Sequence, residues 1–185
     1  LVEKALDALS EGVLKKIVTS RCVKIPYAHI NVAGLFAAMC AKYPESFVYY
    51  FSHPQVGQWA GATPELLLLR RGKEVHTMSL AGTMPYQGEQ MYRWDTKNVE
   101  EQAMSIFIKD ALERSGVATV SVSKPANQVA GPVVHLCSHI NGQAPKDVDM
   151  NVLLKNLAPT PALCGYPRKE AMEFIRRYEG YSREF

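Results

Sequence analysis

Residues 58–85 constrain the fold of this chain most strongly, because apolar runs alternate there with glycine and proline turns. Residues 66–69 are apolar, and residues 75–80 alternate roughly between apolar and polar side chains. Between these runs, residues 71–73 form a polar turn that contains a glycine. Two such runs around a short glycine turn predict a β-hairpin.

One carboxylate in this segment is a candidate site residue. Glu65 follows a turn made with Gly61 and Pro64, and residues 81–83 are expected to leave the second strand at a neighbouring edge. Rigid backbone would hold the carboxylate, while Gly61 and Gly82 would let a ligand approach the main chain closely. The alternative is that the turn only closes a hairpin and that Glu65 is solvated. The spacing alone leaves both interpretations open.

The periodicity of the whole chain predicts one α+β domain over residues 1–185. Helical spacing predicts helices over residues 1–11, 31–43, 98–114, 148–157 and 168–178. Runs of β-branched and aromatic residues predict strands over residues 13–25, 46–52, 117–122 and 129–140, with the 46–52 strand buried. Antiparallel hairpins interleaved with helices, rather than βαβ units, favour the α+β class.

Charge and cysteine content argue against several function classes. The 21 basic and 18 acidic residues are interspersed and give a net charge of +3, so nucleic acid is not an expected partner. The four cysteines lack Cys-x-x-Cys spacing, which argues against a zinc site or a disulfide framework. No run approaches the ~18 apolar residues of a membrane span. No signal peptide is visible either, so a cytoplasmic protein without membrane contact is expected.

Six segments together resemble the chorismate-utilising enzymes, and most closely the isochorismate synthases among them. They occur in the order of that family, at close to its spacing, and span nearly the whole chain. They are Lys16-Ile17-Val18 before Arg21, GATPELLL at 61–68, Leu80-Ala81-Gly82-Thr83, residues 97–102, His135-Leu136 with Gly142, and PTPALCGYP at 159–167. The resemblance implies layered antiparallel sheets with helices, similar to anthranilate synthase component I, of which this chain would be an incomplete part.

The resemblance also implies an acid and a base. In isochorismate synthases, a lysine matching Lys16 deprotonates water for attack on C2 of chorismate. A glutamate matching Glu65 protonates the departing C4 hydroxyl. Lys16 must then be able to lose its proton near neutral pH, and Glu65 must keep its own. Judged from the residues alone, a lysine in the middle of a strand fits a solvated face equally well.

A magnesium ion is implied by the same resemblance. Glu101 matches a family ligand, and Asn98 lies three residues earlier on the same face of the predicted helix. Oxygen ligands of this kind suit a hard cation. A solvated helix start, where glutamate favours the helix dipole, explains the same residues without a metal.

The remaining implied site residues surround the substrate. They are Ala81, Gly82, Thr83, His135, Ala162 and Leu163. Taken alone, His135 between two apolar neighbours fits a hydrogen-bonded core residue. Salicylate-forming relatives tend to carry threonine in place of Ala162, and relatives that make anthranilate or aminodeoxychorismate typically lack the lysine matching Lys16. These two positions favour an isochorismate synthase of menaquinone or siderophore biosynthesis. The alternatives are one of those relatives, or a non-catalytic protein that only binds a ligand or partner.

Some positions depart from the family pattern. Asn98 replaces an aspartate, Gln102 a histidine and Ala158 a histidine. Family chains are longer at both ends, and beyond the position of Phe185 they supply an arginine and a second group of glutamates. We therefore expect weak or no synthase activity from these 185 residues alone. Uncovered sheet edges would favour self-association, whereas the complete enzyme is expected to be a monomer.

Overall fold

A computed structural model describes residues 1–27, 29–89, 91–96, 98–99 and 105–183. The helices with defined bounds are α1 (Val2–Ser10), α2 (Val32–Lys42), α3 (Ser105–Arg114), α4 (Met150–Leu157) and α5 (Arg168–Tyr178). The strands are β1 (Lys16–Ile17), β2 (Phe47–His53), β3 (Gly57–Thr63), β4 (Leu69–Arg71), β5 (Glu74–Pro85), β6 (Ala118–Val122), β7 (Ala126–Ala130), β8 (Val133–Gln143) and β9 (Gly165–Tyr166). Their pairings are all antiparallel, which confirms the α+β prediction.

The largest sheet is built around the pairing of β5 with β8. Its strand order is β4-β5-β8-β6, and β7 also pairs with β8. The register between β5 and β8 shifts between Ala81 and Met84, so the ladder is locally open there. The prediction of a single strand over residues 129–140 is wrong, because the chain turns between Ala130 and Val133. Gly131 makes that turn possible with a φ of 58°, a value that favours glycine.

Helices α3 and α4 cover one face of this sheet. Buried residues alternate along β5, beginning with Val75, as expected for a strand with one face in the core. The core cluster consists of Val75, Ile108, Ala111, Leu112, Val117, Ile140, Ala144, Leu153 and Leu157. A second, smaller cluster joins α1 to α5 through Ala5, Leu14, Ala171 and Phe174.

The helix predictions are confirmed wherever the structure describes the residues. Asn31 caps α2 by accepting a hydrogen bond from the Gly34 amide, and Asp149 caps α4 through the Asn151 amide. The predicted helix over residues 98–114 is confirmed from Ser105 to Arg114. None of the described helices combines the length and apolar character needed to cross a membrane. The four cysteines are free thiols in this structure.

The predicted strand over residues 13–25 is wrong in extent. Only Lys16 and Ile17 pair, and their partner is the equally short β9. The described residues after Ile17 form no strand before α2, and Val23 and Ile25 are 64% and 71% exposed. High β-propensity produces a strand only where a neighbouring strand packs against it.

The hairpin of β2 and β3 corrects two further predictions. Residues 46–52 do form a strand, but Phe47 is 71% exposed, so the strand is not buried. Its partner β3 comes from residues expected to form a turn. Gly61 lies against the Tyr49 ring, where an added Cβ would be 2.5 Å from the ring atoms. This glycine therefore makes room for an aromatic side chain and not for a ligand.

The core of α4 can be tested with two neighbouring residues. Leu153 is fully buried, whereas Val152 is 48% exposed on the same helix. We expect Leu153→Ala to lower the free energy of unfolding by about 2–5 kcal/mol, because it leaves a cavity in the core. Val152→Ala, the matched control, should change it by less than about 0.5 kcal/mol. Urea denaturation followed by circular dichroism measures both, and equal effects would contradict this assignment of the core.

Candidate active site

One cavity of about 290 Å³ collects both predicted catalytic residues and most of the predicted substrate-binding residues. It is lined by Lys16, Thr63, Pro64, Glu65, Leu80, Ala81, Gly82, Thr83, His135 and Ala162. A narrow second space shares Lys16, Glu65, Leu80 and Ala162, and adds Ser79, Ile108, Thr160 and Pro161. The volume is close to the lower end of the range typical of small-molecule sites, about 300–1,000 Å³.

Lys16 is placed in the cavity by the pairing of β1 with β9. Lys16 is opposite Tyr166 and Ile17 is opposite Gly165. An added Cβ on Gly165, whose φ is 128°, would collide with the Lys16 carbonyl, so glycine permits this close approach. The Tyr166 ring stacks on Phe107 of α3 with 4.0 Å between centroids. These contacts connect the short β1–β9 pair to the helices that cover the main sheet.

Glu65 is held by a separate set of hydrogen bonds. It lies between β3 and β4, and β4 begins only at Leu69, so Glu65 does not stand at the start of a strand as predicted. The buried Thr77 hydroxyl donates to the Leu67 carbonyl at 2.7 Å, which fixes this irregular segment against β5. The Glu65 amide donates to Thr63 Oγ1 at 3.2 Å.

Burial controls the electrostatics around Glu65. Loss of solvent raises the pKa of the Glu65 carboxyl above its usual value of 4.5, and the nearby Lys16 charge opposes this by favouring the carboxylate. The same neighbourhood raises the pKa of the Cys137 thiol to about 11, through burial first and the Glu65 charge second. Glu65 therefore keeps its proton to a higher pH than an exposed glutamate does.

His135 forms part of the cavity wall and is also hydrogen bonded. Its Nδ1 lies 3.1 Å from the Gly82 carbonyl oxygen and 3.1 Å from Thr83 Oγ1. A carbonyl can only accept, so the contact with Gly82 places a proton on Nδ1. In the neutral ring, Nε2 is then an acceptor. The sequence left a choice between a residue that borders the substrate and a hydrogen-bonded core residue. His135 lines the cavity and is hydrogen bonded, while its contact with a substrate stays a prediction.

The predicted magnesium ligands are only partly described. Asn98 lies against Gly82, where an added Cβ would collide with its side-chain oxygen, so it stands beside the cavity. Glu101 lies outside the described residues. Within the described ranges, no three His, Cys, Asp or Glu side chains stand close enough to hold a metal. One neutral amide oxygen does not make a magnesium site by itself.

The family profile described as chorismate binding enzyme matches residues 1–185, the full length of the chain. The chain belongs to this family.

Solved and curated relatives agree with this membership. The isochorismate synthase MenF of Escherichia coli is 31% identical over 196 residues, covering 100% of this chain and 45% of MenF. The structure of MenF, the menaquinone-specific enzyme, superposes with a TM-score of 0.83 at 28% identity over 98% of this chain and 44% of that chain.

A Bacillus anthracis protein assigned as DhbC, a 2,3-dihydroxybenzoate-specific isochorismate synthase, also has a TM-score of 0.83. It is 24% identical over 98% of this chain and 52% of that chain, a likeness that shows the fold alone. This chorismate binding enzyme thus spans about half the length of the relatives it matches.

The cavity and the narrow space beside it also contain residues to which the sequence assigned no individual role. Thr63, Leu80 and Thr160 belong to this group. All three lie within segments that carry the family resemblance, Thr63 in GATPELLL, Leu80 in Leu80-Ala81-Gly82-Thr83 and Thr160 in PTPALCGYP, so a usable signal was present. Of the predicted substrate-binding residues, Leu163 is 58% exposed and does not line either space. Its predicted role stays a prediction.

The raised pKa of Glu65 predicts how stability depends on pH. Above pH 4.5 the unfolded chain releases this proton while the folded chain still holds it, so the free energy of unfolding falls as pH rises until the folded-state pKa is passed. Glu65→Gln has no such proton, so its stability relative to the wild type should increase with pH over that window.

Urea denaturation from pH 4.5 to 8 measures this difference. Glu89→Gln, at an exposed glutamate, is the control. A constant offset between wild type and Glu65→Gln at every pH would contradict the prediction.

Proposed function

We propose that this protein is an isochorismate synthase, which converts chorismate to isochorismate. The observation that supports this most directly is that Lys16 and Glu65, far apart in sequence, line one cavity of suitable volume. The amine and a carboxyl with a raised pKa line the same cavity in a member of this family. They are the base and the acid that replacement of the C4 hydroxyl by a hydroxyl at C2 requires. Ala162 lines the same cavity, and salicylate-forming relatives tend to carry threonine at that position.

In this proposal, Lys16 accepts a proton from water as the water oxygen attacks C2 of chorismate. The ring double bonds shift, and the bond between C4 and its hydroxyl breaks. Glu65 gives its proton to the departing hydroxyl, which leaves as water, so one water enters and one leaves. Burial supports the second role, because a raised pKa keeps the Glu65 carboxyl protonated to a higher pH than an exposed glutamate.

The backbone around Gly82 supplies polar groups for the substrate. The hydrogen-bond ladder between β5 and β8 is interrupted at its register shift, and Thr83 and His135 face each other there. His135 Nδ1 is engaged with Gly82, which fixes the orientation of the imidazole ring. We propose that this side of the cavity orients the ligand relative to Lys16 and Glu65. Fixed orientation of the reacting groups is itself a large part of catalysis.

The acid and base assignments can be tested by substitution. In the longest natural form of the protein that carries this sequence, we expect Lys16→Ala and Glu65→Gln each to lower kcat roughly 10²–10⁴-fold. Lys15→Ala is the matched control, because Lys15 is an exposed neighbour that does not line the cavity. Chorismate consumption gives the rate. Wild-type rates in either variant would remove that residue from the reaction.

Product analysis separates this function from its relatives. Chromatography with and without ammonium should show isochorismate in both cases, whereas salicylate or an aminated product would assign the protein to another branch. The 185 residues alone are expected to be weakly active or inactive, so the assay includes both forms. The names of the two structural relatives assign them to different pathways. The product assay does not depend on which pathway this protein serves.

We also propose that the activity depends on magnesium, with Asn98 beside the cavity and Glu101 as candidate ligands. An added carboxylate should strengthen binding of a hard cation, because affinity follows the charge of the ligands. We therefore expect Asn98→Asp to bind Mg²⁺ more tightly than the wild type in isothermal titration calorimetry. Asn151→Asp on α4 is the control. Equal affinities in all three proteins would argue against a metal at this position.

A further inference from the structure

An ion pair between Glu179 and the partly exposed Arg183 lies at the end of α5, outside the cavity. Glu179 is the residue that ends this helix, and its side chain is 0% exposed. Arg183 Nε donates to Glu179 Oε2 at 2.7 Å, and Arg183 Nη2 donates to the other carboxylate oxygen. The hydrogen bonds from Arg183 lower the pKa of the Glu179 carboxyl, so it is ionised near neutral pH. A buried carboxylate is tolerated when it is paired and hydrogen bonded in this way.

The carboxylate also binds the chain that follows β1. The Ser20 amide donates to Glu179 Oε1 at 2.7 Å, and the Ser20 hydroxyl donates to the same oxygen at 3.0 Å. The Ser20 hydroxyl is also 2.5 Å from the Tyr181 hydroxyl. Ser20 lies four residues after Lys16 in a segment that otherwise has no strand partner, so this contact anchors the chain leaving the lysine.

The guanidinium of Arg183 reaches two segments of the proposed active site at once. Nη2 donates to the Val18 carbonyl at 2.7 Å, and Nη1 donates to the Leu163 carbonyl at 2.7 Å. Val18 is two residues after Lys16, and Leu163 adjoins Ala162. One side chain therefore joins the segment that carries Lys16 to the segment that carries Ala162. The planar fork of arginine can satisfy these acceptors together, whereas lysine presents a single point charge.

We propose that the Glu179–Arg183 pair is a positioning device that holds the Lys16 strand against the loop carrying Ala162. The inference rests on the proposed function, since it gives the pair a purpose only if Lys16 acts in the cavity. The β1–β9 pairing is only two residues long, and two further backbone bonds extend it, from the Lys15 amide to the Tyr166 carbonyl and from the Val18 amide to the Cys164 carbonyl. The ion pair closes the end of this short ladder. A purely structural tie would stabilise the end of α5 without affecting Lys16.

The reactivity of Lys16 measures its position without requiring enzymatic activity. Lys15 is exposed and Lys16 half-buried, so acylation at low reagent concentration, followed by mass spectrometry, gives the ratio of their rates within one molecule. We expect Arg183→Met to raise the Lys16/Lys15 ratio by about fivefold through local opening of the segment. Arg176→Met, at an exposed arginine of α5, should leave the ratio unchanged. Arg183→Lys should fall between Arg183→Met and the wild type.

A kinetic measurement and a milder variant complete the test. In the active form of the protein, Arg183→Met should lower kcat by about 10²-fold while KM changes little, because misplacement of a catalytic group affects the chemical step. Ser20→Ala removes the two contacts of this hydroxyl, with Glu179 Oε1 and with the Tyr181 hydroxyl, but keeps the bond from the Ser20 amide, so it should fold and raise the Lys16/Lys15 ratio by a smaller amount. It therefore decides the matter if Arg183→Met does not fold.

The outcomes separate the two proposals. Absence of chorismate turnover in the longest natural form of the protein that carries this sequence would refute the proposed function, while the Lys16/Lys15 ratio would still report on positioning. Folded Arg183→Met and Ser20→Ala proteins with the wild-type ratio would overturn the positioning role. In that case, the pair would only stabilise the end of α5.

Discussion

The antiparallel pairing of β5 with β8 is the contact on which the rest of the structure depends. One face of this ladder receives α3 and α4 and so forms the main core. The shift in register after Ala81 then opens the ladder at one end, where Gly82, Thr83 and His135 meet. Irregularities of this kind often lie next to functional sites, because they redirect side chains that a regular strand would keep on one face. The same two strands therefore supply both the core and one wall of the cavity.

The two candidate catalytic residues are supported by different parts of the molecule. Glu65 depends on the main sheet through the Thr77 hydroxyl, whereas Lys16 depends on the β1–β9 pair and the cluster of α1 and α5. The stacked rings of Phe107 and Tyr166 connect these two parts. Packing between the main sheet and the β1–β9 pair thus sets the distance between the Lys16 amine and the Glu65 carboxyl. For this reason, no local sequence pattern shows that the two residues lie close together.

The sequence predicted helices better than strands, for physical reasons. A helix such as α5 is specified by its own apolar spacing, so residues 168–178 could be predicted from that segment alone. A strand needs a partner, so the β-branched residues after Ile17 did not form one, while the glycine- and alanine-rich β3 did form opposite β2. Resemblance to a family identified most of the residues that line the cavity, which spacing alone could not. The bonds from Arg183 to the Val18 and Leu163 carbonyls were not predictable, because these acceptors are main-chain groups distant in sequence.

The burial of Glu65 has a consequence for the ligand that this cavity can accept. A negative charge placed beside a carboxyl favours its protonated form, and by reciprocity the protonated form favours the arrival of the negative charge. Burial in the cavity already raises the pKa of Glu65, and Lys16 lines the same cavity. Binding of a dianionic ligand would therefore raise the pKa of Glu65 further and favour uptake of a proton wherever this carboxyl is still ionised. Ligand affinity and the protonation of Glu65 thus become one coupled equilibrium.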